Sequence, residues 1–121
     1  MRRQKTVSKR LINKIAKVLS HKKAEDIKII DTSKITSEFE YMIIATGNNK
    51  FHIESLVDEL EKFIKENNIL VLARDINPES GWVVLDLLHT IIHIMTPDVR
   101  NYYNLERIWE LPKQVKLETK P

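Results

Sequence analysis

His89 and His93 stand four residues apart, the spacing at which two imidazoles on one helical face can share a metal ion. The segment that holds them, Thr90 to Met95, is apolar and rich in β-branched residues, which predicts a strand instead. Four strand residues separate the two rings by about 13 Å, too far for one zinc, and no third ligand is evident. No metal site is expected. Nucleophilic catalysis has as little support. The chain has no cysteine and no Gly-x-Ser-x-Gly, and Ser80 before Gly81 has the character of a loop residue. Glu38 and Glu40 alternate, so they share a face if the backbone there is extended. Nucleotidyl transfer would use such carboxylates to hold Mg²⁺ beside a triphosphate. Yet both precede the apolar run that begins at Tyr41, and no Gly-Ser pair opens the following helix; Gly47-Asn48 is a faint echo of one. An acidic cap beside Lys34 is the simpler role. Two glycines in the whole chain are too few for a glycine-rich phosphate cradle, so no cofactor is expected.

What remains is a surface that binds. Trp82, Val84 and Asp86 share one strand face by alternation, with His93 on the neighbouring strand. A tryptophan at a strand start is commonly a core residue, but it is also the side chain most enriched at binding hot spots. Asp86 on the same face would be costly to bury, which favours a half-exposed face beside Trp82. Tyr102, Tyr103 and Trp109 carry the same ambiguity, and for them a partly buried role is expected.

The elements that must position these residues follow from the hydrophobic pattern. Ser8 can cap a helix whose Leu11, Ile12, Ile15 and Leu19 form one apolar stripe, with Lys9, Lys14 and Lys17 outward. Ile27 to Asp31 is a short β-branched strand, and Thr32 to Glu38 is turn-like. Tyr41 to Thr46 is a continuous apolar run ended by Gly47, as in a strand buried on both faces. After the cap candidates Asn48 and Asn49, the residues Ile53, Leu56, Val57, Leu60, Phe63 and Ile64 recur at helical spacing up to Asn67-Asn68. Ile69 to Ala73 is the next strand, and Asp75 to Gly81 a loop punctuated by Pro78. Trp82 to Leu87 and Thr90 to Met95 pair as a hairpin that lacks the usual Asn-Gly turn. Thr96-Pro97-Asp98 opens a last helix carrying Val99, Tyr102, Tyr103, Leu105, Ile108 and Trp109, stopped by Pro112. The order α-β-β-α-β-β-β-α predicts an α/β fold, a mixed five-stranded sheet with flanking helices.

At 121 residues, 42% hydrophobic and 31% charged, the chain suits one folded domain. No apolar run reaches the roughly 20 residues of a membrane span. The absence of cysteine agrees with a reducing compartment, and a cytoplasmic location is expected. Charge is unevenly spread. Residues 1–23 hold nine basic residues and no acid, whereas the remaining eleven basic and seventeen acidic residues give the rest a net of −6. Such a basic head attracts phosphate-rich surfaces; Arg2, Arg3, Lys5, Lys9 and Arg10 are its candidate RNA contacts. A solvated lysine-rich helix is the plainer alternative. An organellar presequence is another, although the segment is lysine-heavy, serine-poor and has an apolar face that the domain needs. The expected division is a basic N-terminal segment at 1–10, a domain at 11–111 and a tail at 112–121.

Several blocks resemble the ribosomal silencing factor (RsfS, or Iojap) family. They are Tyr41-Met42-Ile43-Ile44-Ala45-Thr46-Gly47, Trp82-Val83-Val84-Leu85-Asp86, His93-Ile94-Met95 and the closing Arg100, Tyr103, Leu105, Glu106 and Trp109. The spacing from Trp82 to Trp109 matches the family without gaps, and the resemblance covers Leu11 to Trp109. Three places depart from it: Asp75-Ile76 where the family has Glu-Gly, Leu88-His89 where it has Gly-Asp, and Phe39-Glu40 where it has Thr-Asp. The resemblance implies a nucleotidyltransferase-like fold without the catalytic carboxylates, and a binding protein rather than an enzyme. It implies docking on the fourteenth protein of the large ribosomal subunit, which blocks joining of the small subunit and represses translation when nutrients are short. Trp82 would anchor that contact, Asp86 and Glu106 would face basic groups, and His93 and Tyr103 would shape the patch. Some relatives self-associate, and the patch around Trp82 suits a homodimer of the free protein. A nucleotidyltransferase-like enzyme and a general RNA-binding module are the alternatives.

Overall fold

The computed structural model describes residues 4–107; Arg2, Arg3, Trp109 and the tail from 112 lie outside them. Ser8 is extended and its hydroxyl accepts from the Leu11 N–H at 3.4 Å, which starts α1 (Lys9–His21). Asn49 does the same for α2 (Lys50–Glu66), accepting from the His52 N–H at 3.0 Å. Between them run β1 (Glu25–Asp31) and β2 (Tyr41–Thr46). Gly47 lets the chain turn tightly out of β2, because a Cβ there would lie 2.8 Å from Ile53 Cγ1 and 3.2 Å from Leu56 Cδ1. Then come β3 (Ala73–Asp75), a 3₁₀ turn at Pro78–Ser80, β4 (Trp82–Asp86), β5 (Thr90–Met95) and α3 (Pro97–Tyr103).

The strands order as β1-β2-β5-β4-β3 in one mixed sheet. Only the central pair β2–β5 is parallel; β1–β2, β5–β4 and β4–β3 are antiparallel. One face of the sheet presents Ile43, Ala45, Val83, Leu85, Ile92 and Ile94 to the apolar stripes of α1 and α2, and these side chains form the main core. The other face carries Ile30, Met42, Ile44 and Met95, against which Phe39, Trp82, Val99 and Leu105 pack. Two helices therefore cover one face, while α3 covers the opposite face only at the end where Trp82 and Met95 are paired.

The structure departs from the sequence expectations in several places. Tyr102 and Tyr103, expected to be partly buried, are 82% and 53% exposed, because the short α3 covers only one end of the sheet face. The strand expected at Ile69 to Ala73 begins only at Ala73, because Ile69 instead bridges Lys5 in parallel while its side chain enters the core. Val7, within the basic N-terminal segment, is buried in the main core. The last helix breaks at Asn104, which adopts a left-handed φ of 45°, and a new helical turn starts at Leu105. Lys34 makes no ion pair with Glu38 or Glu40 among the described residues; the Glu38 N–H is held by Thr36 Oγ1 at 3.1 Å.

Candidate functional site

Gly81 sets the direction of Trp82. It is left-handed (φ 75°), and a Cβ on it would sit 2.9 Å from Thr96 Oγ1 and 3.0 Å from Val99 Cγ2. Its close approach brings the start of β4 under α3. From there the indole lies half-buried against the sheet, and its Nε1–H donates to His93 Nδ1 at 3.0 Å. That bond leaves the imidazole proton on Nε2. His93 is 7% exposed, and burial pushes its pKa down to about 4, so the ring is neutral at physiological pH. Tyr103 packs against the indole at 4.8 Å with the rings tilted by 48°, and Tyr102 meets Tyr103 edge-on at 4.9 Å.

The strand register places Val84 opposite both His93 and Asp75, and Asp86 opposite Ile91 and Ala73. Val84, Asp86 and Ile91 are half-exposed on the part of this face that α3 leaves open. Tyr103 (53% exposed) extends the apolar rim. Asp75, Ser80, Trp82, Val84, Val99 and Tyr103 line an open groove of about 340 Å³. Asp86 has a structural task as well: its Oδ1 accepts from the Leu88 N–H at 2.9 Å and so holds the turn into β5.

Glu106 stands apart from this patch. Its side chain is 12% exposed, accepts from Arg100 Nε at 2.8 Å and pairs with Lys28 Nζ at 3.2 Å. The hydrogen bond from Arg100, then that from Lys28, holds its carboxyl below the usual range against the opposing effect of burial. The free acid expected at Glu106 is therefore already engaged. Arg100, matched in the closing block of the sequence, was given no role there. It is 5% exposed and reaches from α3 to the Thr46 hydroxyl at 2.8 Å and to the Asp26 carbonyl, with the Asp26 carboxylate 3.5 Å away. The available signal was an arginine one turn from Tyr103 in an apolar helix, followed six residues later by an acid. Among the described residues, Lys5, Lys9 and Arg10 are exposed and lie far from the aromatic patch in the fold, on the segment and helix that serve the opposite sheet face. Nor do three or more histidines, cysteines or acids gather where they could hold a metal ion, among the described residues.

Residues 5–121 match the family model described as "Ribosomal silencing factor during starvation". The chain belongs to the RsfS family. A ribosomal silencing factor RsfS of Chromobacterium violaceum is 34% identical over 99 residues, 81% of each chain. The Bacillus subtilis RsfS is 32% identical over 101 residues, 84% of this chain and 86% of that one. A more distant relative from mouse, "Mitochondrial assembly of ribosomal large subunit protein 1", is 25% identical and covers 91% of this chain and 52% of its own length. A crystal structure of a Chromobacterium violaceum protein superposes with a TM-score of 0.78 at 33% identity, covering 85% of this chain and 87% of that one. Another from Bacillus halodurans gives 0.75 at 26% identity, covering 84% and 95%. The mixed sheet with flanking helices is thus the architecture shared with those two proteins. No helix among the described residues is long and apolar enough to cross a bilayer.

Proposed function

We propose that this RsfS protein docks on the large ribosomal subunit, through that subunit's fourteenth protein, and that its bulk keeps the small subunit from joining. The observation that carries the reading is Trp82, half-buried at the rim of a sheet face that α3 leaves partly uncovered. A rigid aromatic anchor amid half-exposed apolar neighbours is the anatomy of an interface hot spot. Asp75 and Asp86 add negative charge to its margin, which suits a basic ribosomal protein. Tyr103 enlarges the patch, His93 orients the indole from beneath, and Glu106 supports it at one remove by fixing Arg100. The names of the bacterial relatives support a ribosomal target, and the name of the mouse relative mentions the large subunit. A cytoplasmic location is part of this reading and is supported by the bacterial RsfS relatives. The mechanism is exclusion of a partner, and it needs neither cofactor nor catalysis. In the free protein the same patch is available for self-association.

Sedimentation of large subunits with the tagged protein tests the docking. Trp82→Ala should lose at least ~2 kcal/mol of affinity, roughly thirty-fold, if the indole is a hot spot. Val84→Glu puts a charge on the same face while keeping the indole and should weaken binding as well. If both variants are folded and co-sediment like the unaltered protein, the docking face lies elsewhere.

A further inference from the structure

We infer that the outer face of α1 is a binding surface for the phosphate backbone of RNA, separate from the Trp82 face. At 100° per residue, Lys9, Arg10, Lys14 and Lys17 fall within an arc of about 140°. Leu11, Ile12, Ile15 and Leu19 occupy the opposite side and are buried in the core. All four cations are exposed, and Lys5 joins them just before the helix. No acidic residue precedes Glu25, so the helix offers them no internal partner. Among the described residues none of the five makes an ion pair; Lys23, Lys34, Lys62, Lys65 and Arg107 make none either, but apart from Lys23 they lie on other elements. On α2 the pattern is different: Lys62 and Lys65 sit among Asp58, Glu61 and Glu66. A solvated helix needs no such segregation. The unpaired cations instead concentrate positive field along one side of a molecule whose remainder is net negative.

The face also says which polyanion it suits. An interfacial membrane helix must keep its apolar side free for lipid, but that side of α1 is consumed by the core. A protein partner would need an aromatic or aliphatic anchor, and the exposed large hydrophobics all lie on other elements. Point charges without a base-reading or stacking side chain fit a nucleic-acid backbone read without regard to sequence. Because α1 lies on the sheet face opposite Trp82, an RNA strand and a protein can be held at once.

Binding of the full chain to a short RNA duplex, measured across a salt series, tests this without any ribosome. Each phosphate contact contributes about 0.9 to the slope of log affinity against log salt, so Lys14→Gln/Lys17→Gln should flatten it by roughly 2. Glutamine keeps the helix propensity of lysine, and circular dichroism confirms that α1 is retained. Lys34→Gln/Arg107→Gln removes the same net charge elsewhere and should leave the slope unchanged. Trp82→Ala should leave it unchanged too, which separates this result from the docking test. Equal flattening by both charge pairs, no binding to the duplex, or tighter binding to phosphatidylserine vesicles than to the duplex would each overturn the inference.

Discussion

The Trp82–His93 hydrogen bond ties the proposed docking anchor to a titratable group that the protein keeps neutral. A protonated His93 would carry a hydrogen on Nδ1, where the indole N–H now donates, so charging the ring breaks the bond as well as burying a cation. The pKa falls from 6.5 to about 4, which fixes the sign of the pH dependence. Between those values the unfolded chain binds the proton and the folded chain does not, so stability falls as the pH drops from about 6.5 towards 4. The full shift corresponds to a loss on the order of 3 kcal/mol. Urea unfolding followed by tryptophan fluorescence between pH 7 and pH 4.5 should show that decline, and His93→Gln should flatten it. An identical decline in His93→Gln would assign the effect to other groups. Alternation placed Trp82, Val84 and Asp86 on one face, and the cost of burying Asp86 argued for half-exposure. The indole's bond to His93 was not legible, because alternation fixes the side of the sheet and not the side-chain rotamer.

Elements with one strong local signal were readable: α1 and α2 from a cap and an apolar stripe, β2 from its unbroken apolar run, β4 and β5 from length and composition. Those whose limits depend on distant partners were not. β3 starts late because Ile69 is taken by Lys5, and α3 stops at Asn104 although the apolar spacing continues into Leu105. The β4–β5 turn carries the same lesson. Leu88 stands there at φ 75°, a left-handed conformation that costs a side-chain-bearing residue roughly 1–2 kcal/mol. Leu88→Gly should remove that strain at an entropic cost of roughly 0.5–1 kcal/mol, for a net gain of about 0.5–1 kcal/mol. Leu88→Val, β-branched, should destabilise the protein instead. Chemical denaturation of both variants decides the matter: matching signs would mean that the turn is unstrained. Arg100 fastens α3 to β1 and β2, so Arg100→Ala should cost about 3–5 kcal/mol and leave Glu106 short of its main partner. A thermal shift confined to fractions of that cost would make the link incidental.

At the scale of the whole molecule, an aromatic, acid-edged face and a cationic helix lie on opposite sides of one sheet. On the proposed reading a body so arranged acts by occupying space, which differs testably from catalysis performed by the sheet. A bound factor at 100 times its dissociation constant opposes subunit joining by about 2.7 kcal/mol, near a hundred-fold in the apparent association constant. Exclusion makes the factor and the small subunit compete, so excess small subunit must restore joining in proportion to the factor present. Dilution or washing must restore it too, because nothing on the large subunit has been altered. An enzyme that modified the subunit would behave otherwise: inhibition would grow with incubation time and persist after the factor was removed. Light scattering of mixed subunits, before and after the factor is washed away, distinguishes the two. Full recovery with competitive dose dependence is expected; inhibition that outlasts the factor would mean that the sheet performs chemistry on the ribosome.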